Sequence, residues 1–287
     1  MQADDPNDTT PPPTATRGHA LAVTVRAAAL MVPVTAARGL QALARRLIRL
    51  ALRGADPETA QRMTDWSYDH DSEYGDAPVV GAGWLAFEQA AIAAWFPAVP
   101  ARILVPGCGG GREMCALLAD GYACAGFDPV PRFVATARTS MPGAAVAVGS
   151  LQRLPGGLPF QGPFDAVLVG WGAWGFVLTE TDRIDAMKEL RRRCPVGPIL
   201  LSWNLERPAA LRGDAETLAA VTSGVGGGKD WRDRVALPAK GRIQARLGRA
   251  EVVREATAAG ERVAAYGTAT DHGYAHAVLL PVDVGQE

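Results

Sequence analysis

Ile103-Leu104-Val105 runs directly into Pro106-Gly107-Cys108-Gly109-Gly110-Gly111, and no other stretch of the chain restricts its fold so tightly. An apolar run that ends in alternate glycines reads as a buried strand turning sharply into a helix, because glycine tolerates left-handed backbone and lets a ligand approach closely. The helix that follows is expected to run to about Asp120, where Gly121 stops it, and a second apolar run spans 123–127. Strand, glycine loop, helix, strand is the opening unit of a parallel sheet flanked by helices.

The alternation continues along the chain. Helices are predicted at 83–95, closed by Pro97 and Pro100, and at 131–140, 181–193 and 249–259. Strands are predicted at 145–148, 164–169, 198–203, 262–266 and 274–282, the last two close enough to pair antiparallel. The fold class is therefore α/β, a Rossmann-like doubly wound sheet that is mostly parallel and closes on an antiparallel hairpin. Residues 205–240, with the flexible Ser223-Gly224-Val225-Gly226-Gly227-Gly228, break the rhythm and are expected to form an insertion or loop over the site.

With 287 residues, 48% of them hydrophobic and 21% charged, the chain can bury one full core, placed here at 77–287. A net charge of -1 and a pI near 6.4 supply no field that would draw the chain onto nucleic acid. Cys108, Cys115, Cys124 and Cys194 contain no C-x-x-C pair and read as reduced thiols. The opening Met-Gln-Ala-Asp-Asp lacks the cationic start of a secretory signal, so the expected location is cytoplasmic.

Residues 1–16 are polar, acidic and proline-rich, and are expected to be a disordered tail. Residues 17–76 form an N-terminal extension and lid. Its part 17–53 carries seven arginines and no acid, with Leu40, Leu43, Leu47, Leu50 and Leu52 in helical rhythm. This predicts a basic amphipathic helix, which Arg26 and Pro33 make too interrupted to span a bilayer. It suits peripheral membrane contact, packing on the main domain, or a homodimer.

The glycine loop is G-x-G-x-G and lacks the third glycine of the dinucleotide fingerprint: the sixth residue counted from Gly107 is Arg112, and from Gly109 it is Met114. A nicotinamide-dependent dehydrogenase is thereby disfavoured. Asp128 stands 17 residues past Gly111, at the expected end of the second strand. A carboxylate there can accept the two hydroxyls of a ribose; alternatively it caps the helix beginning near Pro131.

From Ile103 to Val282 the chain resembles the class I S-adenosylmethionine-dependent methyltransferases. The segment 103–111 looks like that family's first motif and Phe127-Asp128 like the acidic end of its second strand. Val148-Gly149-Ser150-Leu151-Gln152-Arg153-Leu154-Pro155 is similar to its adenine-recognition segment, and Phe164-Asp165-Ala166-Val167-Leu168-Val169-Gly170 to its fourth strand. Pro195-Val196-Gly197-Pro198-Ile199-Leu200-Leu201-Ser202 resembles the turn into the fifth, and Ala258-Ala259-Gly260 with two strands the closing hairpin. The resemblance implies S-adenosylmethionine as cofactor, held by Gly107, Cys108, Gly109, Gly111, Arg112, Asp128, Pro129, Ser150, Leu151 and Gly170. Two departures stand out: Val105 replaces the acid common in the first motif, leaving Arg112 to meet the ligand carboxylate, and Ser150 replaces the acid common in the adenine segment.

The implied activity is methyl transfer to a small-molecule acceptor, an in-line displacement that gains much of its rate from alignment. Any base would come from Asp69, His70 and Tyr74, since the resemblance places the N-terminal segment over the cofactor; Tyr68 or Tyr74 also suits an aromatic lid. Trp171 and Trp174, flanked by glycines after the fourth strand, are expected to line the acceptor pocket or to be core. No metal site is expected, because Asp271, His272 and His276 lack a further ligand nearby in sequence. The altered acids keep open an alternative in which the fold binds the cofactor as a non-methylating cyclase or ligand-sensing module.

Overall fold

The computed structural model describes Leu40, Leu43, Leu47, Leu50 and residues 54–70, 77–205, 235–236, 242–269 and 273–282. Tyr74, Asp271, His272, the 1–16 tail and most of the 205–240 insertion therefore lie outside the described residues. The chain divides into two units, Met1–Arg49 and Leu50–Glu287. In the first, Leu40, Leu43 and Leu47 are helical and more than half exposed.

The second unit is built on seven strands: β1 (Arg102–Pro106), β2 (Ala123–Asp128), β3 (Ala145–Val148), β4 (Ala166–Val169), β5 (Ile199–Asn204), β8 (Glu261–Ala269) and β9 (Tyr274–Pro281). They pair in the order β3-β2-β1-β4-β5-β9-β8, and Val235–Ala236 (β6) pairs separately with Gln244–Ala245 (β7). The first five strands are parallel, whereas β9 runs antiparallel to both β5 and β8, so the predicted closing hairpin is inserted beside β5. β8 outruns its prediction at both ends; its Ala, Gly and Thr have weak strand preference alone, and pairing with β9 across a bulge at Val263/Ala265 supplies the rest.

Both faces of the sheet are covered, which explains why its strands read as unbroken apolar runs. Leu104, Val167, Val169, Ile199, Leu201 and Trp203 point to one face, under Met187 and Leu190 of α6 (Glu180–Arg193) and Val252 of α7 (Arg249–Ala258). Ile103, Val105, Leu168, Leu200 and Val278 point to the other. There they meet Ile92 of α3 (Ala86–Trp95), Met114 and Leu117 of α4 (Arg112–Ala119), and Val134 of α5 (Pro131–Ser140). Alternate residues on opposite faces is the period of a strand, and here both sets are apolar.

Within the 17–76 extension lies α1 (Pro57–Asp69), and between it and the predicted 83–95 helix the chain adds the single turn α2 (Ala77–Val80). The start of α1 is strongly specified, since the Asp56 carboxylate accepts from the Thr59 N–H at 2.7 Å and Pro57 occupies the first helical position.

After β4 the chain makes a short 3-10 turn, Trp174–Phe176, and Trp174 is fully buried in the first face of the core. Its indole N–H meets no acceptor among the described residues, so only its volume contributes. Trp174→Ala should destabilise the protein by about 3–5 kcal/mol. Trp174→Phe should cost clearly less, as denaturant unfolding without added ligand would show.

Candidate active site

Three glycines shape the loop between β1 and α4. Gly107, Gly109 and Gly111 have φ of 68, 52 and 100°, so the G-x-G-x-G spacing records alternate left-handed residues. The loop folds back on β2: Gly107 and Cys108 donate their N–H groups to the Phe127 carbonyl at 2.8 and 3.1 Å. Asp128 completes the closure. One carboxylate oxygen accepts from the Gly109 N–H and the other from the Val130 N–H, each at 2.9 Å.

The Val130 contact holds the turn before α5, whose N-cap residue is Val130 itself with no side-chain cap, so Asp128 does not cap that helix; the Gly109 contact ties the carboxylate to the glycine loop. Each oxygen keeps a second lone pair for another donor. Burial pushes the Asp128 carboxyl up to about 6, against the lowering effect of those two N–H groups, and Asp65 across the cleft raises it further.

Beyond the carboxyl ends of β1, β2 and β4 lies a cleft with about 930 Å³ of empty space, part of it open to solvent. That position suits a small-molecule ligand in an open α/β sheet. Gly107, Cys108, Gly109, Arg112, Asp128, Pro129, Ser150, Leu151, Gly170 and Trp171 all line it. Ser150 also accepts from the Arg153 N–H at 3.1 Å, forming a small turn at the cleft wall.

The remaining expected residues fall elsewhere. Gly111 is not in the lining; it packs on α5, where a Cβ would come within 2.4 Å of Met141 Cε. Trp174 is core. Asp69 and His70 sit at the exposed end of α1 outside the cleft lining, Asp69 3.8 Å from Arg132 and His70 stacked on Trp66 at 4.2 Å. The face of α1 that does line the cleft carries Gln61, Thr64, Asp65 and Tyr68, one helical turn earlier. Tyr68, read from sequence as an aromatic lid, packs edge-on against Phe133 and Phe176. Burial raises the Asp65 carboxyl, partly offset by a hydrogen bond from Gln61.

Arg112 departs most from expectation. Its guanidinium, anticipated for a ligand carboxylate, is held inside the protein: it donates to Glu88 at 2.7 and 2.9 Å, to Glu113 at 2.7 Å and to the Gly83 carbonyl at 2.6 Å. Burial alone would ease its proton off, but the carboxylates of Glu113 and Glu88 outweigh that and bind the proton more tightly. Neither glutamate was singled out from sequence, because they reach Arg112 from different elements or point inward where a helix start normally faces solvent.

Trp171 stacks on this cluster, its ring 4.8 Å from the Arg112 guanidinium and its N–H 3.3 Å from Glu88 Oε1. It has a φ of 43°, a left-handed backbone that a bulky side chain adopts only when its surroundings enforce it. Gly170 before it must be glycine, because a Cβ there would lie 2.4 Å from Glu113 Oε1. Among the described residues no group of three or more metal-ligating side chains gathers, and no helix is long and apolar enough to cross a membrane.

Residues 104–201, from β1 through β5, match a family model described as a methyltransferase domain. None of the curated proteins matches the chain in sequence. Among solved structures, a 1,6-didemethyltoxoflavin-N1-methyltransferase of Burkholderia thailandensis superposes with a TM-score of 0.55 at 17% identity, covering 80% of this chain and 92% of that one. An S-adenosylmethionine-dependent methyltransferase of Leishmania major gives 0.54 at 19% identity over 80% and 87% of the two chains. The CcbJ methyltransferase of Streptomyces caelestis gives 0.50 at 17% identity over 73% and 98%. A methyltransferase domain thus spans the glycine loop and the strands around it, and the chain shares its fold with S-adenosylmethionine-dependent methyltransferases, consistent with the class I arrangement.

Proposed function

We propose that the chain moves the methyl group of S-adenosylmethionine to a small-molecule acceptor bound in this cleft. The observation that carries the reading is Asp128: a buried carboxylate, fixed by two backbone N–H groups at the end of β2, with acceptor capacity left on both oxygens. In this reading it receives the two ribose hydroxyls, Ser150 and Leu151 flank the adenine, and the glycine loop admits the methionine portion without a Cβ in its way.

The cofactor supplies an electrophilic methyl on a sulfonium. The residues of the chain align and exclude water. Apolar Ala173, Phe176 and Val177 line the cleft after β4, and Trp171 beside them forms a wall for the acceptor. Tyr68 closes the cleft from α1. If the acceptor must lose a proton, Asp65 is better placed than Asp69 or His70, since it lines the cleft with a carboxyl already raised by burial. The Burkholderia enzyme of the same fold holds 1,6-didemethyltoxoflavin together with S-adenosylhomocysteine, which supports a compact acceptor here.

A second proposal concerns the arginine-rich N-terminal segment. Leu40, Leu43, Leu47 and Leu50 are helical with 52–67% of their surface exposed, an apolar face that calls for an anionic membrane surface or a second copy of the chain. Replacing Leu43 and Leu47 by glutamate should abolish sedimentation with anionic vesicles, or convert a dimer to monomer in light scattering. No change in either measurement would remove both roles.

Asp128→Asn keeps neutral hydrogen bonds to the two hydroxyls but loses their charge-assisted part, about 1–1.5 kcal/mol each, and should weaken S-adenosylhomocysteine by roughly tenfold to several hundredfold. Calorimetric titration reads this directly, and equal affinities would reject the ribose assignment. Trp171→Ala should raise the acceptor KM while cofactor affinity stays within a few-fold. Mass spectrometry with isotopically labelled cofactor separates transfer from mere binding: a product heavier by one labelled methyl is expected, and bound but unconsumed cofactor would favour the cyclase or sensing alternative.

A further inference from the structure

Glu88, Arg112 and Glu113 form a closed cluster of three charges, with side chains 0, 3 and 4% exposed. Two carboxylates share one guanidinium, so with both ionised the cluster keeps an excess negative charge out of water. An uncompensated buried charge is unstable, and such a cluster either holds a proton or receives a cation.

The cluster is not sealed. Glu113 and Arg112 line the cleft, and Glu113 Oε1 lies directly beneath Gly170, at the gap between the glycine loop and the end of β4. Val105 at the end of β1 is fully buried and apolar, so the negative charge at this end of the cleft comes from the first turn of α4 and from α3.

We propose that Glu113, held by Arg112 and Glu88, is the carboxylate that receives the ammonium group of the cofactor's methionine portion, and that binding displaces a proton from it. This rests on the cofactor reading above and adds its proton linkage. No covalent bond changes: the carboxyl proton passes to solvent and the ammonium donates a hydrogen bond to the carboxylate left behind.

The groups facing Glu113 fix the direction of the linkage. Arg112 on its own helix favours the ionised form; Glu88 from α3 opposes it; the Cys108 thiol of the glycine loop lies alongside, itself pushed well up by burial, with Asp128 beyond. Burial dominates and raises the Glu113 carboxyl to about 7. Below that pH the empty site holds a proton that the ammonium must displace, so affinity falls as pH falls. Above it the carboxylate is ready and affinity levels off.

The test is calorimetric titration of the full chain with S-adenosylhomocysteine and with 5′-methylthioadenosine, which lacks the ammonium. For wild type, S-adenosylhomocysteine affinity should rise through about pH 7, falling by up to about tenfold per unit on the acid side. Paired buffers of different ionisation enthalpy should show release of about half a proton at pH 7. Glu113→Gln should bind S-adenosylhomocysteine at least about tenfold more weakly at pH 8, lose the step near 7, and leave methylthioadenosine unaffected. Asp128→Asn should weaken both ligands yet keep the step.

A wild type that binds S-adenosylhomocysteine with no step and no proton release would overturn the inference while leaving the cofactor reading intact. So would an equal loss of both ligands in Glu113→Gln. Failure of wild type to bind at any pH would overturn the cofactor reading itself. Asp128, raised to about 6, would also give up a proton to ribose donors, so it is the half-proton release at pH 7 persisting in Asp128→Asn that assigns the step to Glu113, and its loss there overturns the inference even if Glu113→Gln does not fold.

Discussion

The grip of Asp128 on the glycine loop is the contact on which the working part of this molecule depends. Two N–H groups, from Gly109 and Val130, converge on one carboxylate, and two more, from Gly107 and Cys108, converge on the Phe127 carbonyl just before it. Together they fold the end of β1 onto the end of β2 and set the direction in which α4 leaves. Burial nevertheless holds the carboxyl near 6, so desolvation outweighs the stabilisation that two N–H donors give the ionised form. Further donors, such as the hydroxyls of a ribose, would shift the balance toward the carboxylate. The loop is therefore built to a shape that its ligand completes.

The fold was legible in the sequence to the extent that its signals are local. Alternating apolar runs, Gly121, Pro97 and Pro131 bound each strand and helix of the parallel half closely, because both faces of those strands are buried and chain-breaking residues mark their ends. α1 escaped because its residues are polar and aromatic, although Asp56-Pro57 is a strong helix start. Asp69 shares a face with Asp65, four residues earlier, but stands at the exposed end of the helix, so of this stretch Asp65 and Tyr68 line the cleft whereas Asp69 and His70 do not.

Trp171 and Trp174 show why the rest was not legible. Both follow β4, both stand beside glycine, and three residues apart on a regular 3-10 turn they would eclipse one another. The turn begins only at Trp174, and Trp171 precedes it with left-handed backbone, so one ring lines the cleft and the other enters the core. What forces that backbone is tertiary: a carboxylate from α3, 83 residues earlier in the chain, accepting the Trp171 N–H. The same remote partner captures Arg112, 24 residues on, and turns an expected anion receptor into part of a cluster with excess negative charge. No spacing rule links Glu88 to either residue.

The placement of charge has a kinetic meaning. Methyl transfer converts a sulfonium into a neutral thioether, so positive charge leaves sulfur as the reaction proceeds. A carboxylate beside the sulfur would stabilise the bound cofactor more than the transition state and slow the chemical step. Two carboxylates of this cleft are tied to the scaffold, Asp128 at the end of β2 and Glu113 beneath Gly170, locked to Arg112, while burial raises the carboxyl of the third, Asp65 on α1, toward its neutral form. The wall after β4 is apolar, formed by Ala173, Phe176 and Val177 beside the Trp171 ring. Under the proposed binding mode, binding energy would be drawn from the ribose and ammonium ends, which do not change charge, while the reacting centre would meet a surface that does not hold it in its charged state.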